Sequence, residues 1–136
     1  MKLEHIHLTI NARIGSSVKE LSKEDSENFV EALLKEIDMK PLGGLQWADA
    51  EDLDFPGQSF VQMITTSHCS LHFFSETNEI YFDLYSCKQF DHKKVIEMLD
   101  RKFGLGSWHG TLHTRASDEQ PEVLILKGKK KIAATN

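Results

Sequence analysis

Long apolar runs are missing from this chain. None of its 136 residues fall in a stretch apolar and long enough to cross a bilayer as a helix. The opening residues, MKLEHIHLTI, lack the apolar core of a secretion signal. Cysteine is scarce, with only Cys69 and Cys87 present. The alternation described below puts these two on opposite faces of a hairpin, which argues against a disulfide, and free thiols suit a reducing cytoplasm. A basic surplus is also missing: 16 Lys and Arg against 21 Asp and Glu leave a net charge of −5. That argues against a general nucleic-acid binder, which needs a basic surface. It is compatible with a cationic substrate such as a sulfonium or a polyamine, as it is with many unrelated activities. No internal repeat is visible, and low complexity is confined to a short lysine run near the end. What remains is ordinary for a globular protein, 40% apolar and 27% charged, and the length fits one domain with a modest core.

The chemistry concentrates between Thr65 and Cys87, TTSHCSLHFFSETNEIYFDLYSC. Successive side chains of a strand face opposite sides. His68, Ser70, His72 and Phe74 therefore share one face of a first strand, and Cys69, Leu71 and Phe73 the other. In a second strand Glu79, Tyr81, Asp83, Tyr85 and Cys87 share a face, backed by Ile80, Phe82 and Leu84. Joining them through a loop at Ser75 to Asn78 pairs Phe74 with Glu79, His72 with Tyr81, Ser70 with Asp83, His68 with Tyr85 and Thr66 with Cys87. A slip of one residue would set polar against apolar faces, so this parity is favoured. Ser67 and Cys87 then meet at the open end of the hairpin, and a hydroxyl, a thiol and two imidazoles are expected in one small region.

Elsewhere, Leu3 to Ile14 alternates as a half-buried strand, broken by Gly15-Ser16-Ser17. Ser22 can cap a helix, with Asp25 in the capping-box position, and Phe29, Leu33, Leu34 and Ile37 recur at helical spacing, predicting a helix over 23–39. Pro41-Leu42-Gly43-Gly44 ends it. Leu45 to Gly57 reads mostly as loop, with room for a short strand at Leu45 to Ala48. Gln58 to Thr66 reads as a strand running into Ser67. Asp91 caps a second helix over 91–103, striped by Val95, Ile96, Leu99 and Phe103 and closed by Gly104-Leu105-Gly106. Trp108 to Arg115 and Glu122 to Lys127 are further strands. The lysines from Lys127 to Lys131 read as a solvated tail, and the end, GKKKIAATN, as frayed. The order β-α-β-β-β-α-β, with a further strand after it, predicts an α+β two-layer sandwich: a largely antiparallel sheet with two helices on one face.

Ser67-His68, Ser70, His72 and Glu76, followed by Cys87 twenty residues after Ser67, resemble the motif of the prokaryotic-type S-adenosylmethionine decarboxylases. These carry a self-made pyruvoyl group. The resemblance implies self-cleavage between Thr66 and Ser67, with Ser67 as pyruvoyl precursor, His72 assisting the cut, Cys87 as proton donor in decarboxylation, and Glu76 holding the substrate ribose. Thr66 stands where the family usually has Glu, and Phe74-Ser75-Glu76 where it has aromatic-Pro-Glu. Decarboxylating an amino acid leaves a carbanion that needs an electron sink, and a carbonyl forming a Schiff base with the amine provides one. The short chain shows no pyridoxal phosphate domain. Adenine would stack on an aromatic, with Phe74 or Phe60 as candidates. The resemblance further implies S-adenosylmethionine as substrate, a place in spermidine synthesis, and a homodimer whose sheet faces a partner subunit.

Three other readings stand beside this one. The chain could decarboxylate another amino acid on the same fold. It could be an unprocessed, non-catalytic homologue that binds a ligand or partner. His5 and His7, with His68 and His72 on the same face, could instead gather a zinc-type metal, although no metal is expected, since alternating histidines equally hydrogen-bond within an interface.

Overall fold

A computed structural model describes residues 4–15 and 18–129. The expectations for Leu3, for Ser16 and Ser17, and for the tail from Lys130 onward lie outside the described residues.

Strand β1 (His5–Ile14) buries Ile6, Leu8, Ile10, Ala12 and Ile14, as its alternation requires. Helix α1 (Lys23–Glu36) starts where Ser22 Oγ accepts the Asp25 N–H at 3.0 Å. It stops before the predicted end because Asp38 turns left-handed, with φ 54°. Strand β2 (Gln46–Asp49) is the short strand that the loop had room for. Strands β3 (Gly57–Ile64), β4 (Ser67–Phe74) and β5 (Glu79–Ser86) follow as consecutive antiparallel hairpins. Helix α2 (His92–Phe103) is capped by Asp91 and closed by Gly104 in the left-handed conformation. Strand β6 (Leu105–Arg115) begins directly after that glycine, earlier than predicted, and pairs with β7 (Val123–Lys129).

The sheet has seven strands in the order β2-β3-β4-β5-β1-β6-β7, antiparallel throughout. The hairpin register is the predicted one, from Phe74 opposite Glu79 to His68 opposite Tyr85. Both helices cover one face, so the molecule is the α+β sandwich expected. Phe29 of α1 meets Phe82 of β5 edge-on at 6.5 Å and Phe103 of α2 at 5.9 Å. Each such buried side chain contributes roughly 1.5–3 kcal/mol relative to exposure. No described helix is long and apolar enough to cross a membrane.

Candidate active site

Thr65 and Thr66 alone connect β3 to β4, because Ile64 already pairs with Ser67. The chain reverses by turning Thr66 left-handed, with φ 50°. A β-branched residue rarely accepts this conformation, which costs about 1–2 kcal/mol. Strain therefore sits on the residue before Ser67. Ser67 faces the helix layer and is buried, and its Oγ accepts the Cys87 N–H at 3.0 Å. Thr66 Oγ1 lies 2.8 Å from the Thr65 carbonyl oxygen and 3.3 Å from Cys87 Sγ.

Cys87 is the first residue past β5, in a bend held from below. Buried Ser86 accepts the Lys88 N–H at 3.0 Å and touches Met39 Sδ at 3.5 Å. The Lys88 ammonium reaches the Asp38 carboxylate at 3.6 Å. The Thr66 hydroxyl first, then the Ser67 hydroxyl, hold the Cys87 thiol below the ordinary thiol range; partial burial opposes them, and its own backbone and Lys88 assist. Cys69 is the opposite case, buried in the core and pushed up to about 12 by desolvation. Iodoacetamide should therefore modify Cys87 alone in the folded protein, with a rate that levels off at lower pH than for a free cysteine, and reach Cys69 only on unfolding. Peptide mapping after timed alkylation checks this. Equal labelling of the two thiols would contradict the burial that separates them.

His72 lies at the other end of β4. It stands five residues after Ser67, about 17 Å along the strand, on the face turned away from the helices. Its Nδ1 shares a hydrogen with Ser59 Oγ at 2.7 Å across the β3–β4 pair. Phe74 packs edge-on against Tyr81 at 5.5 Å on this same end, and Glu76 is exposed in the hairpin loop beyond it. The structure thus brings Ser67, Thr66 and Cys87 together and sets His72, Phe74 and Glu76 apart from them. The expected gathering of two imidazoles with the hydroxyl and thiol does not occur in one chain, since only His68 is adjacent. Phe60 is core, 1% exposed, and is withdrawn as an adenine platform because it points into the helix layer.

The helix-free face between these ends is rich in titratable groups. His7 Nε2 meets Asp83 Oδ1 at 2.6 Å, His5 bonds the Tyr85 hydroxyl, and the Arg115 guanidinium lies 4.9 Å above the Tyr85 ring. His113, with its ring 5.1 Å from that of His7, is held below the usual imidazole value by partial burial, then by His7 and Arg115, against the pull of Asp83. No group of three or more His, Cys, Asp or Glu side chains among the described residues is placed to hold a metal ion.

Comparison with known families places this geometry. The family model for S-adenosylmethionine decarboxylase matches residues 7–116. The chain belongs to the S-adenosylmethionine decarboxylase family. No curated protein matches it. The matched span runs from β1 through the end of β6 and contains both ends of the site. Membership points to decarboxylation of S-adenosylmethionine in polyamine synthesis as the reaction class.

One residue of this decarboxylase-family site escaped the sequence. Ser59 becomes visible once Thr65-Thr66 is taken as the whole turn, because pairing Ile64 with Ser67 sets Ser59 opposite His72. Thr66, which the hairpin register already set opposite Cys87, stands with its hydroxyl 3.3 Å from the Cys87 sulfur.

Proposed function

We propose that this chain is a pyruvoyl-dependent S-adenosylmethionine decarboxylase that makes its own cofactor by cutting between Thr66 and Ser67. The whole chain acts as one decarboxylase-like domain, in the cytoplasm and as a homodimer. The observation that carries the reading is the junction itself: a left-handed threonine, a buried serine and a cysteine within hydrogen-bond reach of both. Strain of this kind concentrates where backbone chemistry occurs.

The residues fit the group. Ser67 Oγ attacks the Thr66 carbonyl carbon, the peptide C–N bond breaks, and an ester links Thr66 to the serine oxygen. Loss of the Ser67 Cα proton then breaks the Cβ–O bond and releases Thr66 as a carboxylate. One water enters and one ammonia leaves as the remaining enamine becomes a keto group. That carbonyl supplies the electron sink for decarboxylation. The chain's other tasks are to move the Cα proton, for which a histidine paired with Ser59 is suited, and to return a proton to the substrate carbon, which falls to Cys87.

His72 cannot serve the Ser67 of its own chain across about 17 Å of strand. A second copy related by a two-fold axis, laid sheet to sheet, brings the His72 end of one chain to the Ser67 end of the other. The open face suits such a partner: Met63 at 58% and Ile125 at 69% exposure lie on it among the histidines. Phe74 and Glu76 would then bind the adenosyl part of substrate held at the partner's Cys87 end.

Denaturing mass spectrometry tests the proposal. Two fragments, 1–66 and 67–136, are expected, the second blocked at its N-terminus. The cut protein should release carbon dioxide from carboxyl-labelled S-adenosylmethionine. A single 15.5 kDa species after long incubation identifies an unprocessed homologue instead, and a cut chain inert towards S-adenosylmethionine identifies a decarboxylase of another amino acid.

A further inference from the structure

We propose that Thr66 is a positioning residue of the mature site: its new terminal carboxylate stays against Cys87 after the cut and holds the thiol proton in place. This rests on the self-cutting reading above and adds to it a residue for which neither Ser67 nor His72 substitutes.

The argument follows one oxygen atom. When the ester forms and eliminates, the Ser67 hydroxyl oxygen leaves with Thr66 and becomes one of its two carboxylate oxygens. Before the cut, that oxygen accepts the Cys87 N–H at 3.0 Å. The new anion is thus created on a donor already aimed at it, and a hydrogen bond to an ionised acceptor is stronger than the one it replaces. The released end has little freedom to leave. Thr65 and Thr66 are the only residues beyond the last β3–β4 pair, and two residues span at most about 7 Å. The segment is also tied on its other side, where the Thr65 N–H donates to the Lys40 carbonyl at 3.4 Å and Pro41 bridges to Ile64. In the intact chain the Thr66 hydroxyl already stands 3.3 Å from the sulfur.

The charges around Cys87 change sign with the cut. In the uncut chain its neighbours are two neutral hydroxyls and the Lys88 ammonium, which the Asp38 carboxylate already engages at 3.6 Å. His68 of β4 and Tyr85 of β5 stand on the flanking strands, and Lys40 follows α1. Cutting removes the Ser67 hydroxyl and adds a full negative charge. Both changes favour the protonated thiol. The two hydroxyls of the uncut arrangement draw the thiol's pKa down, and the cut replaces one of them with an anion that pushes it back up, so the site strengthens its hold on the proton in the same step that makes its carbonyl. The family's usual glutamate at this position would bring a side-chain charge before and after cutting; threonine leaves the switch to the main chain.

A partly cut sample tests this directly. Timed iodoacetamide labelling across pH, read by intact mass, reports Cys87 separately in the whole chain and in the 67–136 fragment. The labelling midpoint of the fragment should lie about one pH unit or more above that of the whole chain. Thr66→Val, which removes only the hydroxyl, should raise the whole-chain midpoint yet leave the fragment's high. A fragment midpoint equal to or below the whole chain's overturns the proposal while leaving self-cutting intact, as does loss of the rise in Thr66→Val. A chain that never cuts overturns the self-cutting reading and this proposal with it.

Discussion

Chains carrying Ser67→Ala and chains carrying His72→Ala should each stay whole, and cutting should return when the two are co-expressed. The Ser67→Ala chain has no attacking oxygen, so its loss is complete. The His72→Ala chain keeps the oxygen but loses the base, and its cutting should slow by about 10²–10⁴-fold. In a mixed dimer the intact Ser67 of one chain faces the intact His72 of the other. With equal amounts and random pairing, about half of the His72→Ala chains sit beside such a partner and are cut, while every Ser67→Ala chain stays whole. Intact mass distinguishes the two, because only the cut chain can carry the His72→Ala mass difference in its second fragment. If mixing restores nothing, His72 does not act across an interface, and the sheet-to-sheet dimer loses its functional argument. If His72→Ala alone cuts at the normal rate, the Ser59–His72 pair is structural.

That experiment is motivated by a fact partly legible in the sequence. Ser67 and His72 lie an odd number of strand steps apart, which puts their side chains on opposite faces, and those five steps put them far from each other. The alternation sets His72 beside Tyr81, and the register it implies is the observed one. The caps at Ser22 and Asp91 were equally legible, because a short polar side chain before an apolar stripe has few other uses. The β3–β4 turn was hidden for a physical reason. Thr65 and Thr66 have the β-branched character of strand residues, and a turn that needs a positive φ ordinarily announces itself with glycine or asparagine. Here the fold imposes the conformation on threonine, and with it the contact to Cys87. The early start of β6 was hidden likewise, since Gly104-Leu105-Gly106 closes a helix and opens a strand within three residues.

Gly57→Ala should be among the most damaging single substitutions in the chain, and Gly43→Ala a mild one, although both glycines have positive φ. At Gly43, with φ 80°, a Cβ would meet nothing within 4 Å, so the cost is conformational alone, about 1 kcal/mol. At Gly57 a Cβ would lie 1.7 Å from the Phe73 carbonyl oxygen and 2.8 Å from its carbon. Backbone atoms of a paired strand cannot swing aside as a flexible side chain can. The start of β3 must part from the end of β4, where Gly57 pairs with Phe74. Parting also strains the neighbouring Gln58, whose buried amide accepts the Leu21 N–H at 2.9 Å and donates to Asp49 and Glu51. A loss of about 3 kcal/mol or more is expected, a large share of a small protein's stability. Urea unfolding of the two variants measures the difference as a shift in midpoint. The same displacement pulls Ser59 from His72 two pairs along, so Gly57→Ala should slow self-cutting even at temperatures where it stays folded, whereas Gly43→Ala should cut at the parent rate. Equal stability of the two variants would mean that β3 and β4 can separate at this end without loss, and the Ser59–His72 contact would then have no rigid frame to hold it.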